Sequence, residues 1–255
     1  MNSWLPQLYC AQEAARRAGD LLRQHFLSRD KTVDARTAHD IKLRLDKECQ
    51  RLICDILHEA YPNYAVLGEE GGSGGEIEWI IDPLDGTVNY YYGLPLFCVS
   101  IALRVRGELQ LGCVYAPMMD ECFCAVRGGE ALLNGRPIRV STRADMAQAV
   151  VFAGHGTHDG SGEAGVRRFA EISRRVCKMR ILGTAALSLC YIAAGRLDAY
   201  IEQRINVWDF AAARVILEAA GGTLEFTPTT ASELTGYVLA WNGHLPLHRV
   251  LAEID

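Results

Sequence analysis

The 255-residue sequence predicts a mixed α/β fold, α+β in character over about residues 1–143 and α/β over about 144–255. Two changes of pattern carry that division. Apolar residues first recur at three- and four-residue steps and then switch to strict alternation, whereas after about residue 144 short apolar runs alternate with helical stretches. The length exceeds a typical domain of about 150 residues yet suits one large α/β unit, so a single unit with two halves is expected.

Taken in order, Leu8, Ala11, Ala15, Ala18, Leu22 and Phe26 form the apolar stripe of an amphipathic helix over residues 5–26. A second helix is expected over about 45–61. The polar stretch 28–40 between them, with Lys31, Arg36 and His39, reads as a loop that could cover a site rather than as a linker between domains. Short strands over 65–67 and 79–81 each end in acidic residues, with a flexible segment at 71–75 between them.

Over 97–126, Val99, Ile101, Leu103 and Val105 alternate, as do Leu109, Leu111 and Cys113. Turns at Arg106-Gly107 and Ala116-Pro117 complete an antiparallel meander. The second half reads as strands at 149–153, 179–182 and 197–201 interleaved with helices at 163–176, 185–194 and 210–220. No internal repeat or low-complexity tract interrupts it.

With 49% hydrophobic and 22% charged residues, the chain has the composition of an ordinary globular protein. Its 26 basic residues against 31 acidic ones give a net charge of -5, which argues against nucleic acid as the main partner. The nine cysteines are scattered without a C-x-x-C pair and read as reduced thiols, with Cys98, Cys113 and Cys190 serving as small hydrophobes. No signal-peptide pattern and no apolar run of roughly 20 residues is present, so a cytoplasmic protein with no membrane partner is expected.

The stretch Trp79-Ile80-Ile81-Asp82-Pro83-Leu84-Asp85-Gly86-Thr87 is an apolar strand that stops at two carboxylates, with Pro83 expected to end the pairing. Left bare in a partly buried site, two such acids raise each other's pKa unless they share a proton or meet a cation. Hard Mg²⁺ with oxygen ligands suits Asp and Glu. Thr87 could open a helix whose free N–H groups face a phosphate.

Upstream, Gly68-Glu69-Glu70 ends a strand, and downstream Trp208-Asp209 precedes a helix that finishes at Gly221-Gly222. Singly, these are a turn, a helix cap and a solvated acid pair.

In this order, however, they resemble the inositol monophosphatase family of metal-dependent, lithium-sensitive sugar phosphatases. The likeness spans roughly residues 40–222. It implies a layered αβαβα sandwich acting as one catalytic unit, a small phosphorylated metabolite as partner, and a homodimer. It also implies two or three Mg²⁺ ions per site. Glu69, Asp82 and the Leu84 carbonyl would hold one ion, and Asp82, Asp85 and Asp209 a second.

By the same resemblance Asp46, Glu70 and Thr87 orient the attacking water. Gly86 and Thr87 bind phosphate through their N–H groups, Glu202 and Asp209 face the alcohol, and Asp85 and Ala185 also touch the substrate. Inositol monophosphate is the favoured substrate, because Glu202 suits hydroxyl groups. Fructose 1,6-bisphosphate, histidinol phosphate and 3'-phosphoadenosine 5'-phosphate compete within the family, and a binding role toward the transcription machinery is an alternative of another class.

Four residues depart from the family pattern: Val88, Tyr92, Lys42 and Arg44. All leave the acids intact and bear on substrate preference. The glycine-rich run 154–160, with His155 and His158, has the wrong spacing for a dinucleotide fingerprint and reads as a pocket-shaping loop. Trp4, Trp79 and Trp241 read as core or interface aromatics, and Arg167, Arg168, Arg174 and Arg175 as solvated helix faces.

Overall fold

The computed structural model describes residues 4–28, 31–37, 41–153 and 162–254. In chain order the elements are α1 (Leu5–His25), β1 (Val33–Arg36), β2 (Ile41–Leu43), α2 (Arg44–Ala60), β3 (Ala65–Gly68), β4 (Gly71–Ser73), β5 (Ile77–Asp85) and α3 (Thr87–Tyr92). There follow β6 (Cys98–Val105), β7 (Glu108–Ala116), β8 (Glu121–Val126), β9 (Leu132–Leu133), β10 (Arg136–Pro137) and a 3₁₀ turn (Met146–Gln148). The remainder is β11 (Val150–Ala153), α4 (Gly162–Ser173), β12 (Lys178–Arg180), α5 (Ala185–Ala193), β13 (Ala199–Asn206), α6 (Val207–Ala219), β14 (Thr223–Thr229), β15 (Ser232–Trp241) and α7 (Leu247–Ala252).

Strand alternation builds the layers. An eight-stranded sheet runs β10-β9-β8-β7-β6-β5-β3-β4, and a five-stranded sheet runs β12-β11-β13-β15-β14. On the large sheet Trp79, Ile81, Val99, Ile101, Leu103, Cys113 and Tyr115 face α1 and α2. Their neighbours Ile80, Cys98, Ala102, Val114, Ala116 and Phe123 face the opposite way, into a core shared with α5, α6 and Phe152, Tyr200 and Val238 of the small sheet. The outer face of the small sheet, with Val151, Ala199, Ile201 and Leu239, is covered by α4 and α7. The order is therefore α, β, α, β, α.

Because α5 and α6 lie between two sheets, they are apolar nearly all round, which is what a helix covered on both sides requires. Gly112 on β7 lets α6 come close, since a methyl group there would collide with the Ala212 carbonyl. All nine cysteines are unpaired, and Cys98, Cys113 and Cys190 are fully buried.

Three sequence expectations need correction. The loop at 28–40 contains β1, whose four residues are all exposed; it pairs antiparallel with β2, and Asp34 holds Lys47 at 2.8 Å. Without a buried face it leaves no hydrophobic signature. The segment at 71–75 contains β4, an edge strand on β3 made largely of glycine.

Third, Pro83 does not end β5, which pairs with β6 on both sides of it. The arginines at 167–175 are solvated as expected, while Arg167 of α4 also donates to the Ile254 carbonyl at 2.9 Å and Arg175, just beyond the helix, meets Glu253 at 2.6 Å. Trp79 and Trp241 are core residues, and half-buried Trp4 packs against the α1/α2 core. The run 154–160, with His155 and His158, lies outside the described residues, as do 29–30 and 38–40 of the first loop.

Candidate active site at the end of β5

Asp82 pairs with Ser100 and Asp85 with Cys98, so three steps along β5 match two along β6. That is a one-residue bulge at Pro83-Leu84. In an unbroken strand, residues three apart point to opposite faces. The extra residue brings both carboxylates to the α5/α6 side, while Leu84 packs into the α1/α2 core. Proline has no N–H to waste, so a bulge can accommodate it.

The other carboxylates are placed by helix starts. Asp209 is the third residue of α6, not the residue before the helix, and its Oδ2 accepts the Asn206 N–H at 2.9 Å. Asp46 holds the same position in α2, accepting the Leu43 N–H at 2.8 Å. Asp85 is gripped by the start of α5: the Thr184 hydroxyl donates to it at 2.6 Å and the Ala186 N–H at 2.7 Å, with the Ala185 N–H at 3.3 Å. Asp82 accepts the Leu84 N–H at 2.9 Å.

Gly86, at φ 97°, turns the chain from β5 into α3; a side chain there would press on the Leu96 carbonyl and Phe97. The Thr87 hydroxyl then donates to the Leu84 carbonyl at 2.9 Å. Glu69 and Glu70 leave the end of β3, where Gln50 accepts the Glu70 N–H at 3.1 Å and donates to the Gly71 carbonyl at 3.2 Å.

One pocket of about 280 Å³ is lined by Glu69, Asp82, Leu84, Asp85, Gly86, Thr87, Ala185, Glu202 and Asp209. Nine of the eleven residues singled out from the sequence thus share a cavity. Asp46 and Glu70 do not line it. Asp46 is buried, with its Oδ1 unpartnered, and Glu70 is turned onto Lys42 at 3.0 Å. Of the departures from the family pattern, Val88 lines the pocket, Tyr92 does not and meets Arg36 at 3.0 Å, and Lys42 contacts acids rather than the cavity.

Burial pushes the Asp82 carboxyl well above the ordinary range, and the charges of Glu69, Asp85 and Asp209 push it further. Asp209 is raised by burial and then by Asp85. Asp85 is raised by burial against the pull of Thr184, Ala186 and Ala185. Asp46 is pushed up to about 8 by burial, with Glu69 and Glu70 adding to the rise.

Asp198 provides the contrast. It is fully buried too, but Arg143 Nε donates to it at 2.8 and 3.0 Å, with Ser141 and the Val150 N–H completing its shell. Among the described residues Asp82, Asp85 and Asp209 have no such cation on them, so these three need one from outside. Their donor set is all oxygen, which suits a hard divalent ion. Among the described residues no three His, Cys, Asp or Glu side chains close into a ready-made cage. Asp82, Asp85 and Asp209 instead line an open pocket, each with an oxygen spent on a backbone N–H.

Sequence reasoning missed Thr184, Gln50 and Asn206, which hold the acids, and Tyr200 and Arg204, which line the cavity from β13. The alternation Tyr200, Glu202, Arg204 along a strand was the available signal for the last two.

A five-layer sandwich with a pocket of clustered acids between the end of β5 and β13 defines a sugar-phosphatase-like class. The chain belongs to the inositol monophosphatase family, whose model matches residues 4–253. It is 37% identical over 225 residues to the Nus factor SuhB of Pasteurella multocida, covering 85% of this chain and 84% of that protein. It is 35% identical over 226 residues to the inositol monophosphatase of Dictyostelium discoideum, covering 85% and 83%. The crystal structure of the extragenic suppressor protein suhB from Bartonella henselae matches with a TM-score of 0.89 at 30% identity, over 98% of each chain. No helix among the described residues is long and apolar enough to cross a membrane.

Proposed function

We propose that this chain is a Mg²⁺-dependent phosphomonoesterase of small phosphorylated polyols, with inositol monophosphate as its first substrate. The observation that carries the reading is the convergence of Glu69, Asp82, Asp85 and Asp209 in one pocket, with raised pKa values and no protein cation on the three buried aspartates. Family membership supports both the phosphatase class and its general dependence on metal.

Glu69, Asp82, Asp85, Asp209 and the Leu84 carbonyl would hold the ions. When bound, these supply a nucleophile at neutral pH and charge for the phosphoryl and leaving oxygens. The Thr87 hydroxyl steadies the Leu84 carbonyl, and the N–H groups of Gly86 and Thr87 receive phosphate oxygens. Asp46 and Glu70, next to Glu69, would help orient the attacking water. Glu202 and Asp209 accept hydrogen bonds from substrate hydroxyls, whereas the Ala185 N–H, directed at Asp85, positions that acid first.

On this reading residues 1–255 work as one catalytic unit, cytoplasmic and homodimeric, with lithium as an inhibitor. Phosphate release from inositol, fructose, histidinol and adenosine phosphates, with Mg²⁺ and then chelator, tests it. Asp82→Asn should lower the rate by at least about 10³-fold, since it removes the charge of a shared ligand. Near-normal turnover by that variant would reject the ligand assignment.

A second reading comes from the relatives bearing the name Nus factor SuhB. This chain would then also bind the transcription machinery, through a surface separate from the acids. Capture of that machinery by wild type and Asp82→Asn alike would support this role; capture by neither would remove it.

A further inference from the structure

We propose that Lys42 is a resident cation beside the acid pocket, a positioning residue that competes with a divalent ion for Glu69 and so sets how tightly the ion binds. The inference rests on the reading of Glu69 as a metal ligand. Ile41 and Leu43 are buried on either side of Lys42 in β2, so alternation sends the Lys42 side chain to the other face. There its Nζ stands 3.0 Å from Glu70 Oε1 and 3.7 Å from Glu69 Oε1.

The ammonium is anchored where it is. The Glu70 side chain is only 5% exposed, against 24% for Glu69, and the backbone of Glu70 is fixed by Gln50. If Lys42 left, a buried carboxylate would remain without a counter-charge, a strongly unfavourable state. Nearby Arg44 and Lys47 are engaged by Asp34 at 3.6 and 2.8 Å, so neither replaces it.

An ion arriving at Glu69 must therefore take that carboxylate from Lys42 and then sit next to a positive charge that stays. At the effective dielectric of a half-exposed site, a like charge a few ångström away changes affinity by roughly one order of magnitude. Lys42 thus holds Glu70 off the metal while making Mg²⁺ binding weaker and more readily reversed.

The test is a calorimetric Mg²⁺ titration without substrate, on wild type, Lys42→Met, Lys42→Gln and Lys42→Arg. Thermal midpoints in chelator establish that each variant folds. Both neutral variants should bind Mg²⁺ about tenfold more tightly, while Lys42→Arg, which restores the charge, stays within about twofold of wild type. Equal or weaker binding by the neutral variants overturns the proposal. Asp82→Asn is the control for the underlying site: if it binds Mg²⁺ like wild type, the ligand assignment fails. If it loses binding while the Lys42 variants change nothing, only the role of Lys42 fails.

Discussion

Asp209 carries two roles that conflict. Its carboxylate closes the first turn of α6 through the Asn206 N–H, yet burial and the charge of Asp85 make ionisation there unfavourable without a metal. An asparagine keeps the shape and the accepting oxygen but removes the charge. In chelator, Asp209→Asn should therefore raise the melting temperature by about 2–4 °C, equivalent to roughly 1 kcal/mol, while phosphate release collapses. A lower melting temperature would show that the charge, not the shape, holds the helix start. Thr87 behaves differently, because its hydroxyl is fixed on the Leu84 carbonyl. Thr87→Ser should stay within about threefold of wild-type turnover and Thr87→Ala should fall by about 10². Equal rates for the two variants would leave the hydroxyl without a role.

The elements deliver these residues through a few close approaches. Helix α6 brings Asp209 to the bulge of β5 because Gly112 leaves room for the Ala212 carbonyl, and backbone cannot yield as a side-chain tip can. Gly112→Ala should destabilise the fold by about 1–3 kcal/mol and weaken Mg²⁺ binding together, measured by denaturant unfolding and titration. Destabilisation with intact metal binding would mean that α6 and the site are not coupled. This dependence on distant contacts also explains what the sequence conceals. Residues 79–87 expose their acids openly because an apolar strand ends on charge, and the amphipathic α1 and the meander β6 to β8 follow from periodicity alone. Thr184, however, grips Asp85 from 99 residues away, and no local pattern marks such a partner. Strands β1 and β4 were hidden for another reason: one is exposed throughout and the other is mostly glycine, so neither shows alternation. The bulge at Pro83 reads locally as a strand end, and only the pairing of β6 on both sides reveals that β5 continues.

Across the whole molecule, the acids form a store of unfavourable charge whose sign fixes the pH response. The folded Asp46 carboxyl titrates at about 8 against an ordinary 3.8, and Asp82, Asp85 and Asp209 are shifted in the same direction. A carboxyl that holds its proton more tightly folded than unfolded favours the native state below about pH 4, and that contribution drains away as pH rises toward and through 8. A divalent ion reverses the trend, because it binds the ionised acids and must displace protons from them when the pH is low. The melting temperature in chelator should therefore fall between pH 5.5 and 8.5, and the fall should be smaller in saturating Mg²⁺. The rise in melting temperature produced by Mg²⁺ should accordingly grow with pH across that window. Parallel thermal scans in Mg²⁺ and in chelator measure that rise directly. A flat or shrinking difference would mean that the raised acids and the metal do not share a site, because ions bound elsewhere would not compete with these protons.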